Sequence, residues 1–199
     1  FLDRAPLGQA ILEGAFFNRC DLRELNLAGC NLTGINLQDS ALDKGNFAGA
    51  KLDASGLEGC NFAGANLANA SLRNARASRS IFHEACLDDA DLAGATLEQS
   101  VFSEASFARA ILRGCQAAQS VWVNAKGPGA NLAGGVFAYA DFSNANLAGA
   151  TLNGADFTLA NLHALLDEKA SWGDANRKQV RETDRERLYA ERWSPPPVT

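Results

Sequence analysis

Two histidines, His83 and His163, and five cysteines, Cys20, Cys30, Cys60, Cys86 and Cys115, are the residues of this 199-residue chain best suited to hold a metal or to act as nucleophile and base. Their spacing suits neither task. Zinc sites draw on Cys and His a few residues apart, and no Cys-x-x-Cys or Cys/His pair of that kind occurs. There is no Gly-x-Ser-x-Gly elbow, no Walker loop, and no Gly-x-Gly-x-x-Gly between a strand and a helix. The Ala-Gly pairs read as corners. Asp and Glu number 23, but nothing in their pattern sets two of them inward side by side, as paired acid–base chemistry requires. The expectation is a protein that is not an enzyme, with no catalytic residues, no metal and no cofactor.

The elements that would have to position such residues follow a single register. Stepping by five from Leu7 to Leu162 visits 32 positions, of which 28 are Leu or Phe. Two residues before each sits Ala, Ser, Gly or Cys, except at Leu25 and Ile35. Ala65-Asn66-Leu67-Ala68-Asn69 and Ala145-Asn146-Leu147-Ala148-Gly149 show the unit. A period of five fits neither a 3.6-residue helix nor a two-residue strand. It describes a coil that turns a corner at each repeat and stacks on itself.

This pattern, a small residue, then Asn or Asp, then Leu or Phe, then two variable residues, resembles the pentapeptide-repeat proteins over about four-fifths of the chain. The resemblance implies an all-β fold: a right-handed parallel quadrilateral β-helix with four repeats per square coil. Residues 1–162 would form about eight coils and a rod of roughly 40 Å, with a C-terminal α-helical cap. Residues twenty apart should then share a column. From Leu12 to Leu152 one such column is Leu at every level. The column that begins at Leu22 turns aromatic and predicts a core ladder of Phe62, Phe82, Phe102, Trp122 and Phe142. Trp122, between Ala117 and Gly127, reads as volume compensation. Gly127-Pro128-Gly129 reads as a distorted corner.

After Leu162 the period stops. Residues 163–193 are expected to cap the coil, with Leu165, Leu166 and Trp172 as a plug and a helix over 174–193 whose N-cap comes from Ser171–Asp174. Packing on the coil end, or pairing with a second copy as a homodimer or with another domain, are the roles open to this segment. Residues 194–199, with Pro195-Pro196-Pro197, look like the start of a linker. The chain begins at Phe1 and contains no Met, so it is read as a processed product or a piece of a longer protein.

Four of the cysteines occupy the small inward position, and none of these four is twenty residues from another, so disulfides are not expected. They read as small buried hydrophobes of a protein kept in a reducing cytoplasm. The net charge of −5 lies wholly on residues 1–162, which argues against direct nucleic-acid binding. No apolar run reaches the roughly 20 residues a membrane span needs. Arg73, Arg76 and Arg79 form one basic cluster, read as a solvated corner rather than an anion site.

A protein partner is the remaining expectation, its identity unknown. The outward position before the central residue is usually Asn, Asp, Ser or Thr, but on the aromatic side it holds Ile81, Val101 and Val121, with Val123 beside the top. This strip is either plain strand packing or a partner-binding surface. The first functional reading is a rigid protein-binding or spacer module of a larger bacterial protein, with secretion association as an analogy to family members. The alternative, also implied by the resemblance, is a DNA mimic that binds DNA gyrase in quinolone or peptide-toxin resistance. Against it, the acids are dispersed, and the stacked Glu84 and Glu104 continue as Gly64 and Asn124.

Overall fold

The computed structural model describes residues 12–192, so Leu2, Leu7 and the Pro-rich residues 194–199 lie outside the described residues. Parallel bridges join each outward residue to the one twenty positions on, from Phe16↔Asn36 to Asn161↔Arg181. The bridges that start at Phe16, Asp21, Asn26 and Asn31 mark the four sides of one coil. The result is a square parallel β-helix whose levels are ~4.8 Å apart.

Following the five backbone N–H groups of one repeat explains the sequence pattern. Asn61 N–H donates to Ser40 O at 3.0 Å and Phe62 N–H to Ile81 O at 2.7 Å, one level to either side. Gly64 N–H donates to His83 O at 2.8 Å, and Ala65 N–H closes the corner on Phe62 O at 2.9 Å. The fifth donor, Ala63 N–H, is taken by Asn61 Oδ1 at 3.0 Å. The same side-chain bond recurs at Asn66, Asp91, Asn131 and Asn146. Asn or Asp is therefore favoured before the central residue because it accepts the one N–H the coil leaves over.

The corners make a second demand. Every fifth residue from Gly14 to Gln179 has φ between 53° and 70°, the sign that the third residue of a type II turn requires. The Gly127-Pro128-Gly129 corner is regular, contrary to expectation: Ala130 N–H reaches Gly127 O at 3.1 Å and Gly129 N–H reaches Ala148 O at 2.8 Å. Pro128 stands where the leftover N–H would be, and Lys126 before it offers no acceptor, so proline removes the problem.

Inside, the aromatic column forms a continuous stack. Ring centroids are 5.1 Å apart for Phe62–Phe82, 4.6 Å for Phe82–Phe102, 4.0 Å for Phe102–Trp122 and 5.5 Å for Trp122–Phe142, all within 5° of parallel. Phe107 and Phe137 meet the indole edge-on. The compensation around Trp122 extends to Phe107: a Cβ on Gly127 would lie 2.1 Å from its ring. The indole N–H donates to Ser120 Oγ at 2.6 Å, and the Ser120 hydroxyl in turn donates to Ala117 O at 2.5 Å.

The coil runs past Leu162, because backbone bonding does not depend on the central side chain. Asn146↔Leu166, Thr151↔Ser171, Asp156↔Asn176 and Asn161↔Arg181 add a further turn. The positions that continue the central register hold Asp167, Trp172, Arg177 and Glu182, of which Arg177 and Glu182 are exposed, and these four link in order. Trp172 Nε1–H donates to Asp167 Oδ2 at 2.9 Å, the Arg177 guanidinium lies 4.6 Å over the indole, and Arg177 pairs with Glu182 at 2.7 Å. This polar lid is built around part of the expected apolar plug. Leu165 and Trp172 pack on the core, but Leu166 takes an outward position and is 51% exposed. Charge at the end of a core opposes end-to-end association.

One helix, α1, spans Arg185–Arg192. It is shorter than the expected 174–193 because Asn176 and Arg181 N–H still bond the coil below, to Ala155 O at 2.8 Å and Ala160 O at 2.9 Å. Its N-cap is Asp184, whose Oδ1 accepts the N–H groups of Glu186 and Arg187 at 3.0 and 3.1 Å, and not a residue of Ser171–Asp174. Buried His163 seats the helix on the coil. Its Nδ1 accepts Asp184 N–H at 3.2 Å, and its Nε2–H donates to Glu191 Oε2 at 3.1 Å.

Candidate protein-docking face

Ile81, Val101 and Val121 follow one another through direct bridges, with Asn61 at one end and Asp141 at the other. Ile81 is 41% exposed; Val101, Val121 and Val123 are half-buried. The strip rests on Phe82, Phe102 and Trp122, all buried. Beside them, Ser80 and Ser100 lock the corner by donating to Leu57 O and Ala77 O, both at 2.6 Å. A stacked aromatic column with bonded serines makes this a stiff platform.

The apolar substitution has a cost. Ile81, Val101 and Val121 carry no acceptor, so the N–H groups of His83, Ser103 and Val123 lack one among the described residues. The neighbouring side repeats this loss at Ser78, Glu98, Ala118 and Ala138, beneath Arg76, Thr96, Gln116 and Val136. Only the aromatic side combines it with apolar residues at three successive levels. The sequence shows the strip; the stranded donors emerge once each N–H is traced, although the missing Asn or Asp was the available signal.

The strip has unlike edges. On one side Gln99 Nε2–H donates to Gln119 Oε1 at 2.8 Å, with Arg79 one level beyond. On the other stand Glu84 and Glu104, both exposed. Glu84 lies 3.7 Å from His83 Nε2, and Glu104 has no ion-pair partner among the described residues. His83 Nδ1 lies 3.0 Å from Ser103 O and donates to it, since a carbonyl only accepts. Many other coil carboxylates meet arginine: Asp21 with Arg23 (2.5 Å), Asp39 with Arg19 (3.8 Å), Glu58 with Arg76 (2.9 Å), Asp89 with Arg109 (2.5 Å) and Asp91 with Arg73 (3.2 Å). The hydrogen bond from Arg109 holds the Asp89 carboxyl below its usual range. Arg73 and Arg76 thus spend their charge on carboxylates, and of the basic cluster only Arg79 has no partner among the described residues.

The thiols are structural in their surroundings. Burial pushes Cys60 and Cys115 up to about 12. No disulfide joins Cys20, Cys60, Cys86 or Cys115. Among the described residues no cluster of His, Cys, Asp and Glu could hold a metal ion, and no helix is long and apolar enough to cross a membrane. An apolar opening lined by Leu12, Phe17, Leu22 and Ile35 marks the first described coil, where the core column begins.

With this geometry in place, comparison with known proteins assigns the fold. The pentapeptide-repeat family matches in eight copies over residues 2–39, 46–83, 55–94, 85–120 and 129–163. The chain belongs to that family, and the square rod is its right-handed quadrilateral β-helix. Family members are generally structural or binding modules. Among solved structures, HetL, a pentapeptide-repeat protein involved in heterocyst differentiation regulation in the cyanobacterium Nostoc sp. strain PCC 7120, is 28% identical, with a TM-score of 0.57. That match covers 83% of this chain and 75% of HetL. QnrB1, a plasmid-mediated fluoroquinolone resistance protein, is 19% identical over 91% of this chain and 89% of its own, with a TM-score of 0.44. A likeness at that level concerns the fold alone. No curated protein matches the chain.

Proposed function

We propose that this chain is a non-enzymatic, rigid protein-binding rod of a larger bacterial protein, and that it docks its partner on the strip of Ile81, Val101, Val121 and Val123. One observation carries the reading: three successive levels hold a β-branched side chain where an N–H-accepting Asn or Asp would stand, over the stacked aromatic column. Losing the acceptor costs about 0.5–1.5 kcal/mol per level, and only on this side do apolar side chains take its place at three successive levels. The β-helix holds the strip flat, so binding needs little ordering of the rod. The test is a photo-crosslinking residue placed at 101 and, as a control, at 151 on the opposite side, in cells that make the full protein. A discrete adduct at 101 that is absent at 151, and lost on Ile81→Lys with an unchanged melting temperature, is the expected result. Equal adducts at both positions would reject the docking face.

The gyrase-binding DNA mimic draws support from the net charge of −5 carried by the coil. The arginine pairing of Asp21, Asp39, Glu58, Asp89 and Asp91 weakens it, because paired carboxylates do not reproduce the field of a phosphate backbone. Protection of gyrase in a supercoiling assay at sub-micromolar protein would favour the mimic.

A further inference from the structure

We infer that the occupant of the strip is an amphipathic α-helix lying along the rod axis with Lys or Arg on one flank. The inference rests on the docking-face reading above and adds the shape and charge of the partner.

The first argument excludes an added strand. Strand addition needs free N–H and C=O groups alternating along an edge. Here Ile81, Val101 and Val121 N–H donate to Cys60, Ser80 and Ser100 O, each at 2.9 Å. Their carbonyls accept from Phe62, Phe82 and Phe102 N–H at 2.7, 2.7 and 2.6 Å. The stranded N–H groups of His83, Ser103 and Val123 have no free carbonyl beside them, since those oxygens are taken by Gly64, Glu84 and Glu104 N–H. A partner must therefore be read through side chains.

The second argument is spacing. The strip repeats every ~4.8 Å along the rod. A helix running parallel to it brings a side chain to the same line every ~5.4 Å. The mismatch is about 0.6 Å per level and about 1.2 Å across the three levels, within the adjustment of Leu or Met side chains. A strand in the same direction offers same-side residues only every ~6.6 Å and loses register after one level.

Charge supplies the third argument. Glu84 and Glu104 are also one level apart, and neither pairs with arginine, whereas Asp21, Asp39, Glu58, Asp89 and Asp91 do. Basic residues at i and i+4 along one flank of the helix would meet both, while apolar residues at i, i+3 or i+4, and i+7 cover Ile81, Val101 and Val121. The opposite flank would face the neutral Gln99–Gln119 pair.

The test uses three synthetic peptides titrated into the full isotope-labelled chain and followed by NMR. One has Leu at helical spacing with Lys on one flank. The second has the same composition with Leu at every second residue, and the third has Glu in place of Lys. The first peptide should bind saturably and shift the amides of Ile81, Val101 and Val121. Val101→Lys should abolish this, and Glu84→Gln with Glu104→Gln should weaken it about tenfold. Gln is already tolerated at the corresponding left-handed corners, at Gln99 and Gln119, so the double variant should fold. Binding of the alternating peptide to the strip in preference to the helical one would overturn the helix and leave the docking face standing. Equal binding of the Glu peptide would overturn the basic flank. Peptides that leave the strip unshifted would remove both this inference and the docking face.

Discussion

Asn131 offers a direct test of why this fold favours Asn and Asp before the central residue. It lies on the outer surface between Ile111 and Thr151, and its Oδ1 accepts Ala133 N–H at 3.1 Å. It makes no other side-chain bond among the described residues. Asn131→Ala strands that N–H as Ile81 strands the N–H of His83. A hydrogen bond of this kind contributes about 0.5–1.5 kcal/mol net. For a chain of this size about 1 kcal/mol corresponds to a fall in melting temperature of about 2–4 °C. Asn131→Asp keeps the acceptor and should melt within about 1 °C of the parent. Calorimetry reads the stability, and hydrogen exchange at the Ala133 amide reads the bond itself. Exchange there should accelerate in the Ala variant and stay protected in the Asp variant. If Asp destabilises as much as Ala, or Ala133 exchanges alike in all three, the side chain is favoured for another reason and the account of the stranded donors fails with it.

Three further outcomes follow from the packing and titration of particular groups. Gly127→Ala places a Cβ 2.1 Å from the Phe107 ring and should cost about 1–3 kcal/mol, part of it recovered by adding Phe107→Leu; a parental melting curve for Gly127→Ala would contradict the packing. The Glu191 carboxyl is held below its usual range by hydrogen bonds from Arg187 and His163. A lowered folded value means that its contribution to seating α1 is complete above the ordinary carboxyl pKa of about 4.3 and is lost as pH falls through the folded value. Amides of α1 should therefore shift towards coil positions in acid, and Glu191→Gln should remove that dependence. Cys60 and Cys115, buried and pushed up to about 12, should resist alkylation at pH ~8, whereas half-buried Cys20 and Cys86 should react before them, as mass spectrometry of timed samples can show.

Much of the rod is legible in the chain because its period is redundant. Each Leu or Phe column repeats the same instruction at successive levels, so the stack from Phe62 to Phe142 could be named from spacing alone. Asp167 and Arg177 defeat the same reasoning. A reader counting Leu and Phe ends the coil at Leu162, yet the residues just before them, Leu166 and Asn176, bond the level below as their predecessors do. The candidate strip was half legible: Ile81, Val101 and Val121 stand out as apolar, while the stranded N–H groups of His83, Ser103 and Val123 are not visible as residue types. His163 gave no local signal, because its partners Asp184 and Glu191 lie more than twenty residues further on.

The sequence by itself determined the five-residue period and the order of the Leu and Phe columns as far as Leu162, because each column repeats at successive levels, while its resemblance to the pentapeptide-repeat proteins implied four repeats per coil. The tertiary structure alone decided what happens where the pattern lapses. Whether a lapse ends the fold, as a count of Leu and Phe suggests after Leu162, or is absorbed, as Gly127 is by Phe107, depends on which distant atoms occupy the vacated space. Backbone bonds between levels are indifferent to side-chain type, so a lapse in the pattern becomes a lid at Trp172, a helix seat at His163 or an open strip at Val101 according to its neighbours twenty residues away.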